Sequence, residues 1–192
     1  MTNITSSKYW GPSAWYLTHH LTRNLVKNKP PSELDPVYEE AVSEYFLSLL
    51  LLMPCGLCQK NYLDKLEEDS FQNHLDSWEK LDKWGHKLHN SVNQMLEKPE
   101  LSYTSYVKMY SRHKDPQKLI KYPEILADFH LVPDIALSEI QNVKRFLEAC
   151  LILYPLKAQT KEGIKKGRQE IQEIYDFQTL KKYFRKWIKS VK

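Results

Sequence analysis

Residues 84–93 read Trp84-Gly85-His86-Lys87-Leu88-His89-Asn90-Ser91-Val92-Asn93, and their spacing is helical. Leu81, Trp84, Leu88, Val92 and Met95 recur every three or four residues and predict an apolar stripe. His86, His89, Asn90 and Asn93 fall on a neighbouring face, rich in directional hydrogen-bond groups and free of fixed charge. Asn and His are indifferent helix formers, so propensity does not account for them. A planar heteroaromatic ligand needs such donors and acceptors. A solvated or interhelical polar face is the plainer alternative.

Working outward, the other segments are helical too. The chain has 192 residues and only 5 glycines, which argues against a turn-rich β fold. Gly11-Pro12 predicts a helix start, with the helix running to about Val26. A second helix is expected over about Pro36–Met53 and a third over Cys55–Glu67, followed by a loop near Asp69–Asp76. The fourth covers about Ser77–Leu96, and a short fifth Leu101–Tyr110. Beyond these, helix is expected over roughly Ile135–Leu153 and Gln159–Lys189, with a break near Gly163–Gly167. Ser111–Pro133 gives no clear pattern. The fold class is therefore all-α, with a boundary near residue 111: an N-terminal domain, 1–110, and a helical C-terminal extension, 111–192. Charge divides the same way. Residues 111–192 carry 17 Lys and Arg against 10 Asp and Glu, whereas residues 1–110 carry 11 against 14.

The chain has three cysteines, too few for a disulfide framework. Cys55 and Cys58 form a CxxC pair directly after Pro54, in the first turn of the expected third helix. Free N–H groups and the helix dipole favour a thiolate there. Positions i and i+3 share a face, so the sulfurs can meet and cycle between dithiol and disulfide. Leu52, Met53 and Leu57 are expected to give the pair an apolar setting. Cys150, among Leu147, Leu151, Ile152 and Leu153, reads as a buried, inert thiol. A third element, Trp10-Gly11-Pro12-Ser13-Ala14-Trp15-Tyr16-Leu17-Thr18-His19, puts Trp15 and His19 one turn apart on one face, and Gly11 permits close approach. His20 is expected to point elsewhere.

Together, WGPxxWxxxH at Trp10–His19, PCxxC at Pro54–Cys58 and WxxxxHNxVNxxLxKP at Trp84–Pro99 resemble the Erv/Alr family of FAD-linked sulfhydryl oxidases. The resemblance covers residues 10 to about 110. It implies a four-helix bundle with a short fifth helix, and a homodimer holding FAD among the helices. Carried over, it assigns Gly11, Trp15 and His19 on the first helix, and His89, Asn90 and Asn93 on the fourth, to FAD. Lys98 would lie at the cofactor's phosphate or adenine end, and Tyr110 would match a late aromatic that also touches FAD. Cys55 and Cys58 would be catalytic: a substrate thiolate attacks Cys55, Cys58 faces the flavin, and electrons pass through FAD to O2 as hydrogen peroxide. The substrates would be protein thiols, met directly or through a thiol relay protein.

The sequence also departs from the family. It has no second shuttle pair, and His86 stands where many cellular members carry a structural cysteine. These reductions look more like the versions encoded by large DNA viruses, some of which carry an added helical domain. Met1–Ser7 is polar, and the longest apolar run, Tyr45–Met53, is too short for a membrane span, so neither a signal segment nor a span is expected. A viral protein of this kind would work in the host cytoplasm or virion.

Near the C-terminus, Leu180, Phe184, Trp187, Ile188 and Val191 alternate with Lys181, Lys182, Arg185, Lys186 and Lys189. This reads first as a terminal helix packed on its own domain, and nucleic acid is not expected as a partner. The alternative function is a Cys2His2 zinc module built from Cys55, Cys58, His86 and His89. Its intervals are unusual, with 27 residues between the pairs, and no metal is expected. A thioredoxin-like enzyme would need strands near its CxxC, and an inactive interaction protein would have no use for an intact pair.

Overall fold

The computed structural model describes residues 6–28, 36–112, 118–119, 121–123, 125, 138–153 and 161–189. Among them the chain is all-α. The helices are α1 (Ser7–Asn28), α2 (Pro36–Leu52), α3 (Gly56–Glu68), a 3-10 turn (Phe71–His74), α4 (Trp78–Met95), α5 (Tyr103–Arg112), α6 (Ser138–Leu153), α7 (Lys161–Gln172) and α8 (Phe177–Lys189).

Helix α1 starts earlier than the Gly11-Pro12 signal suggested, so Pro12 lies in its second turn. Pro12 is exposed, while Trp10 is buried and lies 6.1 Å, ring to ring, from Tyr122. Burial of the indole holds the leading turn in place although Pro12 supplies no N–H to it. The expected loop after α3 contains the 3-10 turn, which buries Phe71. Trp84 Nε1 donates to the Asp69 carbonyl at 2.8 Å, and Phe71 stacks on Phe46 at 5.2 Å. Both contacts are tertiary and leave no local pattern.

Helix α2 is apolar around most of its circumference, as a helix packed on more than one side must be. Phe46 turns toward Trp84 of α4, 5.0 Å away, and Tyr45 stacks on Phe146 of α6 at 5.1 Å. Helix α6 is the main partner of α2. At its end, Asn24 Nδ2 of α1 donates to the Leu153 carbonyl at 3.2 Å. Buried Lys144 of α6 donates to the Gln172 carbonyl at 2.8 Å, at the negative end of α7. Cys150 is buried, as expected, and burial raises its thiol pKa.

The expected break at Gly163–Gly167 is displaced: both glycines lie inside α7, and the break falls at 173–176. Gly167 is small for packing, since a Cβ there would lie 2.8 Å from Leu151 Cδ2. Asp176 then caps α8, accepting from Thr179 N at 2.8 Å. Leu180 is buried, in keeping with a helix packed on its own chain. The side chains of Phe184, Trp187 and Ile188, and all of Val191, lie outside the described residues.

Asp82 joins α1, α4 and α5. It has 0% exposure. Its carboxylate accepts from Thr22 Oγ1 (2.8 Å), Arg23 Nη1 (2.8 Å), Tyr103 OH (2.8 Å) and Tyr106 OH (2.6 Å). A buried carboxylate is tolerable only when paired and saturated with donors, and this one is. Removing it takes the shared acceptor from a half-buried guanidinium and three hydroxyls. Asp82→Ala is expected to destabilise the protein by roughly 3–5 kcal/mol, lowering Tm by roughly 10 °C. An unchanged melting curve would show that the junction is not structural.

Candidate active site

Two constellations stand out, one redox and one aromatic. Cys55 and Cys58 are joined in a disulfide, with Cα atoms 5.1 Å apart. Cys55 precedes α3 as its N-cap rather than lying in its first turn, and the Cys58 N–H donates to Cys55 Sγ at 3.3 Å. The third helical position therefore aims a donor and the positive helix end at the Cys55 sulfur, which favours negative charge there once the bond is open. Both cysteines are half-buried. Leu52 belongs to the core against which Met53, Cys55 and Cys58 pack, but Leu57 is exposed and does not share that apolar setting.

The second constellation lies between α1, α4 and α5. His19 Nε2 and His89 Nδ1 are 2.7 Å apart. Trp15 stacks on His89 at 4.2 Å with an interplanar angle of 8°. Tyr106 meets His19 edge-on at 4.8 Å, and Tyr110 lies 4.7 Å from the same ring. Burial, with the neighbouring histidines adding to it, holds the His19 pKa well below the ordinary value. Burial, then His86 and Lys98, pushes His89 down to about 4. Both imidazoles are thus neutral at pH 7, and the 2.7 Å contact carries one shared hydrogen. His19 Nδ1 is buried and has no hydrogen-bond partner. His20 is buried too, with Tyr16 4.3 Å and Tyr110 5.6 Å away, so it is closer to the cluster than its position suggested.

The remaining expected residues fall around this cluster. Gly11 is buried, yet a Cβ there would meet nothing within 4 Å; the same holds for Gly85. Asn93 closes α4 through its carbonyl, which accepts from Lys98 N at 2.8 Å. That bond and Glu97 N to the Gln94 carbonyl (3.0 Å) form a Schellman turn, with Glu97 in the left-handed region at φ 55°. The turn brings Lys98 near enough to His89 to depress its pKa. Asn90 is engaged differently. Its Oδ1 accepts from Leu101 N (3.0 Å) and its Nδ2 donates to Leu101 O (3.0 Å). His86 Nε2 donates to the same carbonyl at 2.6 Å. These bonds clamp the chain leaving α4.

The zinc alternative fails on placement. Cys55 and Cys58 bond to each other, His86 binds Leu101, and His89 binds His19. Among the described residues no group of three or more His, Cys, Asp or Glu gathers as a metal site. No hydrogen bond, ion pair or ring contact joins the disulfide to the histidine cluster among the described residues. The sequence reading missed Asp82, Tyr106 and the His86–Leu101 bond. Asp82 was findable: it lies one turn before His86 and two before His89, on the same helical face.

The histidines carry a pH dependence. Their folded pKa values lie below the unfolded 6.5, so the unfolded chain binds more protons as pH falls below that value. Stability is full above pH 6.5 and is lost as pH drops toward about 4. From pH 7.5 to 5.5 the protein is expected to lose roughly 1 kcal/mol per histidine in urea unfolding. His89→Gln should lose correspondingly less. Equal losses in parent and variant would mean that His89 is not held neutral.

Comparison with known proteins agrees with this geometry. The model of the Erv1 / Alr family matches residues 12–113. A probable FAD-linked sulfhydryl oxidase of Acanthamoeba polyphaga mimivirus is 30% identical over 118 residues, 61% of this chain and 79% of the relative. The FAD-linked sulfhydryl oxidase of African swine fever virus is 26% identical over 104 residues, 54% of this chain and 82% of the relative. A putative FAD-linked sulfhydryl oxidase of Invertebrate iridescent virus 3 is 26% identical over 103 residues, 54% and 66% of the two chains. No solved structure matches significantly. With the family pattern spanning more than half its length, and its redox pair and aromatic cluster both formed, the chain belongs to the Erv1/Alr family.

Proposed function

We propose that the chain is an FAD-linked sulfhydryl oxidase, which forms disulfides in protein thiols and passes the electrons to O2. The observation that carries this reading is the Cys55–Cys58 disulfide at the start of α3, in a chain of the Erv1/Alr family. The helical cluster suits the cofactor. Trp15, His89 and His19 present flat, uncharged rings, and His19 Nδ1 is a buried polar atom with capacity for a ligand. A Cβ at buried Gly11 or Gly85 would meet nothing within 4 Å, so neither position is closed by a packed neighbour. When bound, FAD supplies a two-electron acceptor that oxygen can reoxidise, giving hydrogen peroxide.

In this reading Gly11, Trp15, His19, His89, Asn93 and Tyr110 contact FAD, and Lys98 neutralises its phosphates. Asn90, which also clamps the loop at Leu101, contacts FAD as well. Cys55 is the sulfur attacked by substrate. A substrate thiolate forms a bond to Cys55 as the bond to Cys58 breaks, and Cys58 leaves as a thiolate. A second substrate thiolate then releases the product disulfide, and Cys55 departs as a thiolate stabilised by the Cys58 N–H. Two electrons now reside on the cysteine pair, and Cys58 is the member that hands them on. Residues 1–110 carry the reaction and 111–192 form a helical extension. The active form is taken to be the family's homodimer. No helix among the described residues is long and apolar enough to cross a membrane. The viral relatives favour work in a host cytoplasm or virion.

Visible absorption tests the reading first. The purified protein should show a flavin band near ~450 nm and consume oxygen on addition of dithiothreitol. A colourless protein that takes up no FAD would refute it. Cys58→Ser should keep the flavin band and lose at least about a hundredfold in turnover. Normal peroxide output from that variant would remove Cys58 from its role.

A further inference from the structure

Since no contact among the described residues joins the disulfide to the histidine cluster directly, their alignment rests on how the helices that carry them are held. The cysteine pair moves with α2. The Gln59 side chain donates to the carbonyls of Met53 (2.9 Å) and Leu51 (3.4 Å), which ties the first turn of α3 to the last turn of α2. Helix α2 in turn meets α1 through Tyr45. Thr18 Oγ1 donates to the Ala14 carbonyl at 2.9 Å, and a hydroxyl has one hydrogen, so in the 2.8 Å contact between Thr18 Oγ1 and Tyr45 OH the tyrosine is the donor. Tyr45 is thereby bonded to the turn of α1 that contains Trp15 and leads into His19.

The C-terminal extension holds the other side of that ring. Phe146 of α6 stacks on Tyr45 at 5.1 Å, with an interplanar angle of 27°. Tyr122 meets Phe146 edge-on at 5.8 Å and lies 6.1 Å from Trp10. All four rings are buried. A continuous run of rings, Trp10, Tyr122, Phe146 and Tyr45, thus leads from the start of α1 through the extension and onto α2. Phe46, beside Tyr45, sets the opposite wall against Trp84. These two neighbours fix one level of α2, and its tilt about that level is governed by its main partner, α6. About 10 Å of helix separates Tyr45 from Leu52, so a tilt of about 6° moves the last turn of α2 by about 1 Å. A misplacement of about 1 Å between reacting groups can cost about a hundredfold in rate.

We propose that Tyr122 and Phe146 of the extension are positioning residues for the oxidase reaction: through Tyr45 they fix the Cys55–Cys58 pair relative to the flavin site between α1, α4 and α5. The inference rests on the oxidase reading and deepens it, giving the extension a part in a reaction whose reacting groups lie in residues 1–110. Neither ring makes or breaks a bond, and the thiol exchange keeps its course.

The test mixes the full FAD-loaded chain anaerobically with dithiothreitol and follows the flavin band. At low dithiothreitol the bleaching rate reports thiol exchange at Cys55; at saturation it reports transfer from the cysteine pair to the flavin. In Phe146→Leu the saturating rate should fall at least about tenfold. Its low-dithiothreitol slope and its reoxidation by O2 should stay within about twofold of the parent. Phe146→Tyr, which keeps the ring, should restore transfer. Tyr122→Phe should be neutral, because the Tyr122 hydroxyl has no hydrogen-bond partner. Hydrogen exchange reads the same device without turnover: amides of α2 and the first turn of α3 should exchange faster in Phe146→Leu, and those of α4 at the parent's rate. Should Phe146→Leu lose its flavin, Tyr122→Leu is read in its place. An unchanged saturating rate, or unchanged exchange in α2, overturns the inference and leaves the oxidase reading standing. Equal slowing of all three steps, or loss of flavin from both leucine variants, also overturns it, because a merely structural contact gives that result. A parent that takes up no FAD sinks the oxidase reading, and the inference with it.

Discussion

A single buried carboxylate sets the arrangement of the site. Asp82 draws Thr22 and Arg23 from α1 and Tyr103 and Tyr106 from α5 onto α4. Hydrophobic packing alone resists sliding of α1 along α4 only weakly, because apolar contacts are non-directional. Hydrogen bonds to a buried charge are directional, and leaving one unmade is expensive. Once Thr22 and Asp82 are matched, one turn back on α1 and two turns forward on antiparallel α4 bring His19 and His89 together. Tyr106 takes part in both assemblies, bonding Asp82 and lying edge-on to His19. The anchor that fixes the helices therefore also shapes the aromatic cluster.

The two constellations use opposite electrostatics. At the disulfide, a helix N-terminus and the Cys58 N–H stabilise a negative sulfur. In the cluster, burial strips charge from the histidines and leaves a neutral, polarisable surface. Charge in the cluster would disfavour a flat heterocycle and attract water. Lys98, a cation near His89, is carried on a turn outside the helix. Glu97 holds that turn in a left-handed conformation that ordinarily favours glycine. Backbone strain at this point is offset by the two carbonyl bonds of the Schellman turn.

Much of this was legible in the sequence, for definable reasons. Helical period placed α2, α3, α4 and α5 to within two or three residues, because apolar residues recur along each at helical spacing and proline or polar residues bound them. Proline and CxxC located the redox pair, since those signals are local. The errors have one source: contacts between residues far apart in the chain. Trp10 on Tyr122 extends α1 past Pro12, and Leu151 against Gly167 makes a glycine part of a helix instead of its end. Asp82 looked like an ordinary surface acid because its four donors come from two other helices. The bonds of Asn90 to the N–H and C=O of Leu101 were hidden for the same reason, a pairing visible only once the chain turns back.

The C-terminal extension follows from the composition of α2. A helix apolar around most of its surface needs neighbours on more than one side, and α3, α4 and the 3-10 turn supply only some of them. Tyr45 and Phe46 are adjacent in sequence, so their side chains diverge by about 100°. Phe46 is met by Trp84 and Phe71, whereas Tyr45 is met by Phe146 from α6 and by Thr18 Oγ1 at 2.8 Å. Without α6, the Tyr45 face of α2 would lie open to water. The described part of the extension therefore shares the bundle's core, whatever separate task it carries. Among its described cations Lys144 is buried on the Gln172 carbonyl, whereas Lys165, Lys166, Arg168, Lys182 and Lys186 are exposed.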